Sequence, residues 1–207
     1  LRSRGLGDVY KRQELGLPQD SNKFMIGIIS RLTDQKGLDL VNRVIEQILD
    51  ENTQLVVIGT GEPRYENLFK HFQWKYPDRV SANIFFSEQR AHKLYAAADA
   101  MLVPSRFEPC GLTQLIALRY GTIPIVRETG GLKDTVSPYN EYENSGNGFS
   151  FGNYDSYDML NVINYAKTIY FTQNEKWQEI IIRAMKSDFS WNFSADQYAG
   201  MYNWLSN

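Results

Sequence analysis

From Phe24 onward, short apolar runs alternate along the chain with stretches in which apolar residues recur every three or four positions. Phe24–Ile29 is an apolar run of buried-strand length, and Leu38, Val41, Val44, Ile45, Ile48 and Leu49 follow it on one helical face. The alternation repeats with Gln54–Ile58 before Arg64–Lys75, Val80–Phe86 before Gln89–Ala98, Ala100–Val103 before Thr113–Tyr120, and Ile123–Val126 before a loop. Gly148–Phe151 is a sixth, weaker strand, and helical stretches near Tyr157–Phe171, Glu175–Met185 and Phe193–Leu205 complete the pattern. Strands separated by helices pair in parallel through right-handed crossovers, and strands without polar alternation are buried on both faces. The pattern predicts an α/β fold, a doubly wound parallel sheet of about six strands. In such a sheet, ligands bind where loops leave the C-terminal ends of the strands.

Composition narrows the function classes. The chain has 207 residues, 43% hydrophobic and 22% charged, which supports one sizeable core and argues against a disordered or fibrous chain. Lys and Arg total 22 against 24 Asp and Glu, so there is no basic footprint for nucleic acid. Cys110 is the single cysteine, which excludes an intrachain disulfide and suits a reducing cytoplasm. No apolar run approaches the roughly 20 residues of a membrane span, and no signal peptide is visible, so a cytoplasmic location without membrane contact is expected.

Residues 1–13 break the pattern. They have no helical or strand period, carry four basic side chains and one acidic one, and resemble an in-frame translation of a sequencing adapter. They are set apart as a non-native segment. Residues 14–207 are then one domain, expected to come from a longer chain.

Four strand-end loops hold the candidate chemistry. Ser30–Gly37 places Arg31 and Lys36 between a buried strand and a helix start, a combination that would hold a diphosphate, although two solvated cations fit the same spacing. Gly59-Thr60-Gly61 suits either close approach to a ligand or a turn. Pro104–Gln114 presents Glu108 just ahead of Cys110, Gly111, Leu112 and Thr113, whose amides can face an anion from a helix N-terminus. A carboxylate there does not grip phosphate. It would instead bond a sugar hydroxyl or stabilise developing positive charge, or merely cap the helix. Glu128–Asp134 pairs two glycines with a helix start, either around a ligand or as a strand-to-helix turn. No His/Cys or Asp-x-Asp cluster suggests a metal.

Together, Ser30–Gly37, Pro104–Gln114 and Tyr120–Thr135 resemble the C-terminal half of bacterial glycogen synthase and plant starch synthase, retaining glucosyltransferases of the GT-B fold. The resemblance implies a Rossmann-like domain that binds ADP-glucose or ADP, with a missing N-terminal domain supplying the glucan acceptor site. It places Arg31 and Lys36 on the diphosphate, Glu108 on the glucose, and Cys110, Gly111, Leu112 and Thr113 around glucose and phosphate. Phe86 falls where the family tends to carry an aromatic that stacks on the base, and a core phenylalanine is the alternative. No cofactor and no metal are implied. The implied reaction transfers glucose to the 4-hydroxyl of a non-reducing α-1,4-glucan end with retention, and the chain alone is expected to bind ADP or ADP-glucose weakly without elongating glycogen.

Two rivals share these residues. Other GT-B transferases use UDP- or GDP-sugars, but most carry a second glutamate eight positions after the first, where this chain has Ile116. A non-catalytic nucleotide-binding α/β module would satisfy the same alternation without needing Glu108.

Overall fold

The strands β1 (Phe24–Ile29), β2 (Thr53–Ile58), β3 (Val80–Asn83), β4 (Ala100–Val103), β5 (Ile123–Arg127) and β6 (Phe149–Phe151) form one parallel sheet in the order β3-β2-β1-β4-β5-β6. This arrangement comes from a computed structural model that describes residues 12–20 and 22–206. The strand order reverses at the β1/β4 boundary, which makes the loops after those two strands the natural place for a ligand.

Successive strand residues enter opposite cores, which is why the runs lack polar alternation. Phe24, Ile26 and Ile28 face one cluster with Leu55, Val57, Leu102 and Ile125, while Met25, Val56, Met101 and Val126 face the other. Helices α1 (Leu38–Ile48) and α2 (Pro63–Lys75) cover the first face. Helices α6 (Ser156–Thr172) and α7 (Asn174–Lys186) complete that layer, with Trp177 against Phe24 and Phe149. Helices α3 (Glu88–Ala97), α4 (Thr113–Tyr120) and α5 (Gly130–Thr135) send Leu94, Ala117 and Leu132 into the second core. The last helix, α8 (Trp191–Ser206), buries none of its residues, and Trp191 and Trp204 are 90% and 77% exposed.

One sequence expectation needs correction: strand β3 stops at Asn83 rather than continuing to Phe86. The helix start read in Glu128–Asp134 is the short helix α5. Among the described residues, no helix is long and apolar enough to cross a membrane. Of the segment set apart at the start, residues 1–11 lie outside the described residues. Arg12, however, is 2% exposed and donates to Gln54 Oε1, to the Lys23 carbonyl and to Asp99, at the N-terminal edge of the sheet. Tertiary contacts of the fold thus begin ahead of residue 14.

Candidate active site

The first and fourth loops are fastened edge to edge. The Arg106 amide donates to the Gln35 carbonyl at 2.8 Å, and Gln35 Nε2 reaches the Phe107 carbonyl at 3.4 Å. Gly37, at φ 70°, sits where a β-carbon would lie 1.9 Å from the Pro104 carbonyl oxygen, so only glycine lets the two loops meet. A short 3-10 turn, Asp34–Lys36, swings Lys36 inward. Its Nζ lies 2.5 Å from Glu108 Oε2, and the Ser105 hydroxyl donates to that same oxygen at 3.0 Å. Both charged side chains are largely covered, at 17% and 13% exposed.

The backbone carrying Glu108 is held from behind. The Gly131 amide donates to the Glu108 and Pro109 carbonyls, both at 3.2 Å, which gives the paired glycines after β5 a supporting part in the site. Arg127 donates to the Arg106 carbonyl at 2.6 Å, and the Arg106 and Arg127 guanidinium carbons lie 4.8 and 5.4 Å from the centre of the Tyr154 ring. Tyr154 in turn donates to Asp39, in the first turn of α1.

Burial and the bond to Asp39 push the Tyr154 phenol up from 10.0 to about 12. Because its folded-state value is raised, the stability it contributes is complete below pH 10 and is lost as pH climbs through about 12. Tyr154→Phe is therefore expected to be less stable than the parent by a constant margin up to pH 10, with that margin closing toward pH 12. Urea titrations of both proteins across this range measure the margin. One that persists unchanged at pH 12 contradicts the assignment.

Two cavities adjoin at the sheet's C-terminal edge. The first, about 290 Å³, is walled by Ser30, Lys36, Glu108, Gly111, Leu112 and Thr113, with Ser105 and Gln114 also lining it. The first turn of α4 opens onto it with backbone donors that have no partner inside the helix. The second, about 260 Å³, is bounded by Arg31, Ile58, Gly59, Thr60 and Phe86, and shares Ile29 and Ser30 with the first. Gly59 passes so close to the Ser30 carbonyl oxygen that a β-carbon there would lie 1.9 Å from it, so the second loop uses its glycine for close approach between loops at the cavity wall.

The structure therefore brings Lys36, Glu108, Gly111, Leu112 and Thr113 to one cavity and Arg31 and Phe86 to its neighbour. Cys110 lines neither; it is exposed, and its carbonyl accepts from Gln114 Nε2 at 3.0 Å. Phe86 is 77% exposed and is not a core residue. Among the described residues, no group of three or more His, Cys, Asp or Glu side chains is arranged to hold a metal ion.

Sequence reasoning assigned no part to Ser30, Ser105 and Gln114. The Ser30 hydroxyl and Gln114 Oε1 are buried acceptors without a partner, and both residues line the first cavity. Gln114 Nε2 is fixed by the Cys110 and Gly111 carbonyls and by Thr135 Oγ1, which leaves its oxygen the only unengaged atom of the amide. The available signal was local: Ser105 lies three residues before Glu108, and Gln114 in the first turn of the helix behind it.

A cation, a carboxylate and a helix N-terminus facing one pocket at the switch point of a parallel sheet are what a sugar-nucleotide transferase domain requires. The chain belongs to the group 1 glycosyl transferases, whose family profile matches residues 11–185. It is 63% identical over 197 residues to a glycogen synthase of Lachnospira eligens and 58% identical over 194 residues to one of Lachnoclostridium phytofermentans. These alignments cover 95% and 94% of this chain and 41% of each relative, so the chain spans well under half the length of these relatives. Among solved structures, the catalytic domain of starch synthase IV from Arabidopsis thaliana, bound to ADP and acarbose, is 35% identical with a TM-score of 0.87, covering 98% of this chain and 42% of that one. A sucrose-phosphate synthase from Thermosynechococcus elongatus, at 24% identity and a TM-score of 0.67, shares the fold; that match covers 94% of this chain and 48% of the other.

Proposed function

We propose that this chain is the donor-binding part of a glycogen synthase, which transfers glucose from ADP-glucose to the 4-hydroxyl of a non-reducing α-1,4-glucan end with retention. The observation that carries the reading is the continuity of the two cavities through Ile29 and Ser30. In this reading the nucleoside occupies the cavity of Phe86 and Arg31. The diphosphate crosses Ser30 to reach Lys36 and the first turn of α4, and the hexose rests against Glu108. The starch synthase structure bound to ADP supports an adenine nucleotide in this role.

Three tasks fall to these residues. Lys36, Arg31 and the α4 amides take up the charge that the diphosphate acquires as its bond to the sugar breaks. Glu108 stabilises positive charge developing at the anomeric carbon and bonds a sugar hydroxyl. A double displacement would need a second carboxylate on the opposite sugar face, and among the described residues Glu108 is the one acid lining the first cavity, so attack from the leaving-group side fits better. The acceptor site belongs to the remainder of a longer protein, and the exposed aromatic face of α8 is where that remainder would pack. The domain is then the donor half, in a cytoplasmic enzyme whose single cysteine, Cys110, stays reduced.

The reading is tested by joining this chain to the remaining part of the Lachnospira eligens enzyme and following labelled glucose from ADP-glucose into glycogen. The joined protein is expected to transfer glucose with retention and the isolated chain to transfer none. A joined protein that is folded but inactive with ADP-glucose, or that accepts UDP-glucose alone, contradicts it.

A further inference from the structure

The polar segment 137–147 takes no part in the donor site. It leads into β6 and so lies at the N-terminal end of the parallel sheet, opposite the edge that carries Lys36 and Glu108. The segment is shaped rather than slack. Asn140 and Ser145 exchange backbone hydrogen bonds at 3.0 and 3.2 Å, and Asn140 Oδ1 accepts from the amides of Tyr142 and Glu143. This turn holds Tyr142 out into solvent, 92% exposed.

Beside it is an open cavity of about 550 Å³ whose wall includes Tyr139, Asn140, Glu141, Tyr142, Glu143 and Tyr165. The Tyr139 and Tyr165 rings lie 6.4 Å apart at 28°. Tyr139 is 7% exposed, and its buried hydroxyl has no hydrogen-bond partner. Such a group calls for an explanation, and a ligand hydroxyl supplies one.

The lining selects the ligand class. It contains two carboxylates and no cation, which rejects phosphates and other anions. A purely apolar ligand would strip water from those carboxylates without replacing it. Glu143 already accepts from a neutral hydroxyl, that of Ser145 at 3.4 Å, and burial together with the neighbouring Glu141 carboxylate raises the Tyr165 phenol above its ordinary value. Rings that accept C–H faces beside acids that accept O–H donors suit a neutral polyhydroxylated chain.

We propose that the cavity lined by Tyr139, Tyr142 and Tyr165 is a second carbohydrate site, remote from the donor cavity, that holds a branch of the α-1,4-glucan acceptor. The choice of glucan among carbohydrates rests on the function proposed above. A second point of attachment raises the local concentration of non-reducing ends without adding any contact at the reacting sugar.

Affinity electrophoresis of the 207-residue chain through native gels containing glycogen tests this, with ADP affinity measured by calorimetry on the same preparations. Glycogen is expected to retard the parent chain. Tyr142→Ala, at a side chain too exposed to disturb the core, is expected to weaken that retention about tenfold, and Glu143→Gln less, with ADP affinity unchanged in both. Retention that is absent, or equal in the parent and Tyr142→Ala while ADP still binds, overturns the glucan site and leaves the donor site standing. Tyr142-dependent retention in a chain that fails to bind ADP has the opposite meaning. An oligolysine peptide that binds through Tyr142 where glycogen does not would assign the loop to a basic peptide and overturn the proposal.

Discussion

Glu108→Gln is expected to tighten ADP binding about 3- to 10-fold while lowering glucose transfer in the joined enzyme by roughly 10²- to 10³-fold. The opposite signs follow from one contact. Lys36 is paired with Glu108 at 2.5 Å, so a phosphate must compete with that carboxylate for the ammonium. The amide of Gln releases Lys36 but keeps the shape of the site and its bond from Ser105. ADP carries no hexose and loses nothing by the change, whereas the transferring sugar loses the negative charge facing it. Calorimetry with ADP and a radiolabel transfer assay measure the two halves. An unchanged rate removes Glu108 from the chemistry, and weaker ADP binding would mean that the pair does not restrain the lysine.

Lys36→Ala is expected to weaken ADP binding by at least about tenfold and to destabilise the chain by roughly 1–3 kcal/mol. The loss of affinity follows from removing the cation that lines the first cavity together with the start of α4. The loss of stability has a different origin, because Glu108 is only 13% exposed and would be left without its counter-ion. The two effects are therefore separable. Adding Glu108→Gln to Lys36→Ala is expected to restore most of the stability and none of the ADP affinity, a non-additivity that urea titration and calorimetry read independently. If the double variant recovers affinity as well, the lysine acts on the fold rather than on phosphate.

Much of this was legible in the residues. Strands buried on both faces leave uninterrupted apolar runs, so five of the six strands were recovered to within a residue or so of their ends. The overrun at β3 has a physical reason. Ile84-Phe85-Phe86 continues the apolar run of a strand, yet it leaves the sheet, where Phe85 and Phe86 stand 42% and 77% exposed. An aromatic placed for a ligand and one placed for a core look alike in sequence. Gly130 and Gly131 open α5 where the paired glycines suggested a helix start, although they are poor helix formers, because they pass close to the Glu108 and Cys110 carbonyls. The separation of Arg31 from Lys36 depends on the 3-10 turn between them, which sends one side chain to each cavity. Ser30 and Gln114 went unassigned because unpartnered buried groups are visible only once the surrounding partners have been placed, and Ser105 because its bond to Glu108 exists only in the folded loop.

The central claim is that a single donor site runs from Phe86 to Glu108 and that Lys36 changes partner when that site fills. A crystal structure of this chain with ADP tests it most directly. The account predicts adenine in the cavity of Phe86 and Arg31, with Lys36 Nζ drawn from Glu108 to hydrogen-bond a phosphate oxygen near the first turn of α4. ADP bound elsewhere, or bound at this edge while Lys36 remains on Glu108 and out of reach of either phosphate, would contradict it.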